Sequence, residues 1–323
     1  MLAGNYAFGA AQTSGRHIVC TLFEGDYHFG VAALINSMVA AGFAGSIVVG
    51  YRGAPPPWVE GLERIGPSDV FAVGEATRLK FTVIDSETHF SDLKAAFMLS
   101  LIRDNPGFEL ISYFDPDITI RCAWRFFDDW VSRGVALCED VTNATMPANH
   151  PIRLAWVDVA TAAGFAAPRT LSRYYNAGFV GLPAANAGFL QIWQTFIDIA
   201  GSRGADLGRL RSGRRTDRFH GQDQDALNLA VMYARDPLTT IGPEGMGFVP
   251  GGFTLYHAVG VPKPWRRKMI WSALQGAPPT GADRAFLDHA GGPIRPYGLT
   301  TLRAKRLAYK AAALIGRFYR RRL

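Results

Sequence analysis

Apolar positions in this chain come in short blocks whose period changes from one block to the next. His17 to Leu22 is a β-branched run, Phe23 to His28 is a turn, and Val31 to Ala41 carries an apolar helical pattern. A second strand-like run, Ser46 to Tyr51, follows Gly42 and Gly45. Strand, helix and strand in that order predict a βαβ unit, and with it a parallel sheet. Val70 to Val73 and Phe81 to Ile84 offer further short strands. Ser91 to Arg103 predicts a helix capped by Ser91, with Leu93, Phe97 and Leu101 on its apolar face. Ala123 to Ser132 and Ala187 to Ala200 read as helices, and Val135 to Cys138 and Tyr174 to Leu182 as strands. Gly201 to Gly221 reads as a loop excursion long enough to be mobile, and a further helix opens at Gly221.

Composition narrows the class. The 323 residues are 48% hydrophobic and 19% charged, enough apolar material for one sizeable core. The spacing of Cys20, Cys122 and Cys138 fits neither a zinc motif nor a disulfide framework, which points to a reducing compartment. The opening residues do not read as a signal peptide, and the longest apolar stretch, Val31 to Gly50, is broken by Asn36, Ser37, Gly42 and Gly45, so a cytoplasmic protein is expected.

The net charge of +7 is concentrated at one end. Arg295, Arg303, Lys305, Arg306, Lys310, Arg317, Arg320, Arg321 and Arg322 follow the last acidic residue, Asp288, and everything before them carries 25 basic against 27 acidic residues. A general nucleic-acid surface is not indicated. From Thr300 onward Arg303, Arg306, Lys310, Arg317 and Arg321 form one helical stripe, and Leu307, Ala311, Leu314 and Phe318 form another. Such a helix suits the anionic inner face of the cytoplasmic membrane, or it docks on its own core with arginines outward. The chain divides accordingly into residues 1–290, a catalytic domain, and 291–323, a basic amphipathic tail.

Candidate chemistry centres on Ile111-Ser112-Tyr113-Phe114-Asp115-Pro116-Asp117-Ile118-Thr119-Ile120. In an extended strand alternate side chains share a face, so Asp115 and Asp117 point the same way if the pleat persists past Phe114. Paired carboxylates suit a hard divalent cation such as Mn2+ or Mg2+; the plainer reading is a polar turn. In parallel sheets ligands bind beyond the carboxyl ends of strands, which places the Glu24 to His28 loop, with Asp26 as its candidate, at the mouth of a site. No G-x-G-x-x-G follows the first strand, which argues against a dinucleotide-binding Rossmann enzyme and disfavours a nucleotidyltransferase. Lys94 begins a helix and on local grounds is a surface lysine. Asp140, at a strand end, meets an acceptor hydroxyl or faces water. The six arginines between Arg203 and Arg218 are a solvated excursion or a flap for an anionic substrate.

Four stretches, in their order along the chain, carry a resemblance. Phe114-Asp115-Pro116-Asp117, Asn176-Ala177-Gly178, Asp223-Gln224-Asp225-Ala226-Leu227-Asn228 and His257-Ala258-Val259-Gly260-Val261-Pro262-Lys263-Pro264-Trp265 are similar to the motifs of the retaining glycosyltransferases of family 8, the glycogenin and bacterial lipopolysaccharide galactosyltransferase group. The resemblance implies an α/β GT-A fold, a Rossmann-like nucleotide-diphospho-sugar transferase with a mixed, mostly parallel central sheet flanked by helices. It implies that Asp115, Asp117 and His257 bind the metal, and that Lys263, Gly260 and Lys94 meet the donor's phosphates. Gln224 would lie under the reacting sugar carbon, Asp223 and Asp225 would bind the sugar, and Asn176 and Ala177 would wall it in. The implied partners are a nucleotide-sugar donor, a UDP-sugar above others, and a saccharide or lipid-linked acceptor. A catalytically silent nucleotide-sugar-binding or scaffold protein is the alternative. The Phe23 to His28 loop and the arginine-rich segment depart from the family pattern.

Overall fold

The computed structural model describes residues 15–66, 69–143, 145–166 and 168–319. The opening unit is β1 (His17–Glu24), α1 (His28–Ala40) and β2 (Ser46–Arg52). Next come β3 (Glu63–Arg64), β4 (Val70–Val73), β5 (Thr77–Val83), α2 (Lys94–Asp104), β6 (Leu110–Phe114), β7 (Ile118–Ile120), α3 (Arg125–Val131) and β8 (Val135–Glu139). The second half runs α4 (Pro151–Ala162), β9 (Tyr175–Pro183), α5 (Ala187–Ser202), α6 (Gln222–Tyr233), β10 (Leu238–Ile241), β11 (Leu255–His257), α7 (Met269–Leu274), α8 (Gly281–His289) and α9 (Leu299–Tyr319).

Nine strands make one sheet in the order β10-β8-β9-β6-β1-β2-β5-β4-β3. The β1, β2, β5 and β6 strands are mutually parallel, and only β9 and β4 run against the rest. This is the expected mixed, mostly parallel sheet. Both faces of β1 are covered, and seven of its eight residues are buried, which is why its sequence is a continuous apolar run and not an alternating one. One core, with Phe97, Trp156, Trp193 and Phe196, packs α2, α4, α5 and α6 on one face; another, with Val31, Ile35, Trp124 and Phe127, packs α1 and α3 on the other.

Two local expectations are corrected. Ser91 does not cap the helix; it lies in a 3-10 turn, Phe90–Leu93, whose cap is the His89 imidazole accepting from the Ser91 amide at 3.2 Å. The pleat does not persist past Phe114 either. Proline at 116 cannot continue a ladder, so the chain turns from Asp115 to Ile118, with the Ile118 amide donating to the Asp115 carbonyl at 3.1 Å. It then starts β7 in a separate two-stranded antiparallel sheet with β11.

The tail helix α9 docks on α7 and α8 through Leu302 and Ala312, in a cluster with Trp265 and Phe286. Its other side keeps Leu307, Leu314 and Phe318 exposed, at 65%, 56% and 81%, next to the exposed Arg303, Lys310 and Arg317. The expected stripe residue Arg321 lies outside the described residues. Among the described residues, no helix is long and apolar enough to cross a membrane.

Candidate active site

A cavity of about 640 Å³ opens at the carboxyl ends of β1, β6 and β8. That volume suits a small-molecule substrate. Three elements place the acid pair and the imidazole together. Asp115 leaves the end of β6 with its amide donating to the Gly178 carbonyl of β9 at 2.7 Å. Asp117 closes the turn, and its carbonyl accepts from the Ala258 amide at 3.0 Å. On β11, His257 sits opposite Ile118. The turn, in place of a pleat, therefore brings both carboxylates to one imidazole. His257 Nε2 lies 3.2 Å from Asp117 Oδ1 and 3.6 Å from Asp115 Oδ2. One ligand atom from each residue falls within 4.8 Å of the other two, so the three could share one divalent ion. Room for the ring comes from Gly178, where a Cβ would stand 2.4 Å from His257 Cε1.

Two buried lysines neutralise this acid cluster. Lys94, 4% exposed, reaches Asp115 at 3.0 Å and Asp223 at 3.1 Å, and donates to the Ala177 carbonyl at 3.0 Å. Burial alone would lower its pKa; the two carboxylates outweigh burial and raise it. It is a buried bridge between β6, β9 and α6, not the surface lysine that its local sequence suggested. Lys263 donates to Asp117 Oδ2 at 2.5 Å and to the Ala258 carbonyl at 3.0 Å. Burial would push the Asp117 carboxyl up, but His257 and Lys263 hold it well below the usual carboxylate range. Gly260 borders the cavity with φ at +83°, and no atom lies within 4 Å of a Cβ built there. Its backbone takes a conformation that side chains resist, on a rim open to a ligand.

Next to this cluster lies a hydrogen-bonded amide and carboxylate group. Between Leu137 and Cys138 the β8–β9 register shifts, so that Val180 and Asn176 are their partners. The irregularity frees Ala177 from the ladder; its amide donates to Gln224 Oε1 at 3.1 Å, and its carbonyl takes Lys94. Gln224 Nε2 donates to Asp140 Oδ2 at 3.2 Å, and Asn176 Nδ2 donates to the same oxygen at 2.6 Å. Asp140 is therefore buried and hydrogen-bonded, not turned to water. Asp223 and Asp225 lie in the first turn of α6, where the helix dipole favours them. Asp225 accepts from Tyr174 Oη at 2.7 Å and from the Gly221 amide at 3.0 Å. Burial outweighs these hydrogen bonds and pushes its carboxyl up to about 7. Asn228, one helical turn past Gln224, pairs with both backbone groups of Tyr175 at 2.7 and 2.8 Å, fixing α6 against β9.

The structure brings twelve of the thirteen expected site residues to or beside this cavity. Asp26 is the one turned away: it forms a two-armed ion pair with Arg266, while its neighbours Glu24 and Tyr27 border the cavity. Sequence reasoning passed over Asp92. Its carboxylate oxygens are buried without a hydrogen-bond partner among the described residues. Burial, then the charge on Asp223, outweighs Lys94 and pushes the carboxyl up to about 8. The only signal was its place two residues before Lys94, in a segment read as an ordinary helix start.

Solved structures match this fold. The chain aligns over 89% of its length, at 16% identity and a TM-score of 0.54, with the galactosyltransferase LgtC, whose structure holds donor and acceptor sugar analogs; 99% of that chain is covered. The bifunctional glycosyltransferase WbbM matches at 15% identity and a TM-score of 0.53 over 95% of this chain. The glycosyltransferase GlyE of Streptococcus pneumoniae TIGR4 matches at 11% and 0.51 over 91%. This chain spans 64% of GlyE and 53% of WbbM. At such identities the likeness establishes the GT-A glycosyltransferase fold. No protein-family model matches the chain, and no curated protein matches it in sequence.

Proposed function

We propose that this chain is a metal-dependent glycosyltransferase of the hexosyltransferase kind, related to family 8. It would move a sugar from a nucleotide-diphosphate donor, a UDP-sugar above others, to a saccharide or lipid-linked acceptor with retention. One observation carries the reading: a single cavity is lined by Asp115, Asp117 and His257, by the Asn176, Gln224 and Asp140 group, and by Lys263 and Gly260. The donor set of two carboxylates and one imidazole fits Mn2+ or Mg2+, and such an ion supplies offset to the negative charge that grows on a leaving diphosphate.

The chain's own residues do the rest. Lys263 meets the phosphates at the metal end. Gln224 has both ends of its amide engaged, by Ala177 and Asp140, so it is a fixed dipole beneath the sugar and a poor nucleophile. That supports front-face transfer through an oxocarbenium-like state. Asp223, Asp225 and Asn176 bind sugar hydroxyls, and Asp140 orients the amide. Hydrolysis of UDP-hexoses is the test: turnover with Mn2+ that chelation abolishes is expected, whereas binding of the donor without turnover would point to a silent binding protein.

The tail belongs to the same proposal. Leu307, Leu314 and Phe318, edged by Arg303, Lys310 and Arg317, form a face suited to the anionic inner surface of a membrane, where a lipid-linked acceptor resides. Because α9 also buries Leu302 and Ala312, substitution tests this better than deletion. Leu314→Ser with Phe318→Ser should release the protein from anionic liposomes while leaving donor hydrolysis intact.

A further inference from the structure

The segment from residue 201 to 221 carries six arginines against Asp206 and Asp217. Its sequence predicts a free excursion, and the structure shows an anchored one. The His89 amide donates to the Leu207 carbonyl at 2.7 Å. The buried Gln222 amide donates to the carbonyls of Asp206 and Arg209 at 2.7 and 3.1 Å. The Trp156 indole donates to the Arg218 carbonyl at 2.5 Å, and Phe219 is buried. A bond of 2.9 Å from the Ser212 amide to the His220 carbonyl closes the arch between them. Two buried side chains, Trp156 of α4 and Gln222 of α6, and the His89 backbone amide thus hold this loop where it stands.

Its charges are not balanced within it. Asp206 pairs with Arg209 at 3.1 Å, and the Asp217 carboxylate accepts from the Arg214 amide at 2.6 Å. Arg211 and Arg215 border the cavity, and neither pairs with a carboxylate among the described residues. Every other cation identified at the cavity does pair: Lys94 with Asp115 and Asp223, Lys263 with Asp117. The donor's diphosphate already has its counter-charges in the Lys263 and His257 region, which comes from a different part of the chain. A neutral acceptor offers two guanidinium groups hydroxyl oxygens but no counter-charge. Carboxylate and phosphate match their planar fork.

We propose that the acceptor is anionic, a saccharide bearing a carboxylate or a phosphate, and that Arg211 and Arg215 receive that group. The inference rests on the glycosyltransferase reading and deepens it by naming the acceptor's class. The contacts are at an exposed rim, so they act largely on acceptor affinity and weaken with salt.

The test is titration of the full chain with glucose, glucuronate and glucose 1-phosphate as matched probes, with and without UDP and Mn2+. Binding of glucuronate or glucose 1-phosphate at least about tenfold tighter than glucose is expected, and which of the two is favoured separates a uronate from a phosphate acceptor. Arg211→Ala with Arg215→Ala should erase the difference and leave UDP affinity unchanged. Arg209→Ala, which removes a paired arginine of the same loop, should change neither. Equal binding of all three probes by the unaltered chain overturns the proposal, as does a double variant that weakens UDP in step with the anionic sugars, since the loop then serves the donor. Loss of UDP and Mn2+ binding by the unaltered chain would strike the glycosyltransferase reading instead, while the comparison of charged with neutral sugar without UDP still decides this one.

Discussion

The two charged regions of this cavity are built on opposite plans. At the metal end, Asp117, Lys94, His257 and Lys263 are all at most 9% exposed, and each is paired. Elsewhere on its lining, Arg211 and Arg215 are exposed and, among the described residues, unpaired, on a loop anchored through its backbone and the buried Phe219. Burying charge is costly unless it is matched, so the metal end needs its partners even without a substrate. The exposed end stays solvated and can wait for one. The first region should respond to substitution with large, all-or-none effects, and the second with graded, salt-sensitive ones.

The contrast is broken most severely at His257. Replacing it with alanine removes one of three ligand atoms and should lower metal-dependent donor hydrolysis by about 10²–10³-fold, read from initial rates at saturating donor. A loss of tenfold or less would mean that the imidazole is not part of the machinery. Gly178→Ala acts one step back, since the new methyl group would stand 2.4 Å from the imidazole. Displacing a ligand in this way should weaken Mn2+ affinity by about 10–100-fold with the fold retained, as titration and circular dichroism together would show.

Asp92 sharpens the comparison, because neither of its carboxylate oxygens has a hydrogen-bonding partner among the described residues. Its pKa is raised in the folded chain to about 8, so the folded state holds a proton that the unfolded state gives up at lower pH. Stability from this group is therefore full only below the unfolded carboxyl's 3.8 and is lost steadily as pH climbs from there through about 8. Asp92→Asn should leave stability nearly unchanged at about pH 3.5 and raise it by about 2 kcal/mol or more at pH 9, measured by thermal unfolding. Equal effects at both pH values would refute the buried neutral acid. The smallest effect belongs to Asp26, whose partner Arg266 is half exposed. Asp26→Ala should cost less than about 1 kcal/mol and leave the Michaelis constant for donor as it was.

Much of this could be read from the residues alone because the signals were local. The β1 run, the α1 pattern and β2 predict the parallel unit, and the spacing of Asp115 and Asp117 suggests a cation site, which His257 joined only through the resemblance to the family 8 motifs. What escaped was tertiary. The turn at Pro116, not strand alternation, aligns Asp115 with Asp117, and only the pairing of β7 with β11 shows it. Lys94 and Asp92 look like ordinary helix-start residues until β9 and α6 cover them. Asp26 sits in the right loop, yet Arg266, 240 residues away, claims it. The loop from 201 to 221 looked free because two of its anchors, Trp156 and His89, are distant in the chain, and the third, Gln222, reads as an ordinary helix-start residue.

The most direct examination of the central claim is titration of Mn2+ into the chain in the presence of UDP, followed calorimetrically for the unaltered protein and for Asp117→Asn and His257→Ala. One ion bound per chain, with affinity collapsing in both variants, is the result the account predicts. An unaltered chain that takes up no ion, or variants that bind it as well as the parent, would contradict it.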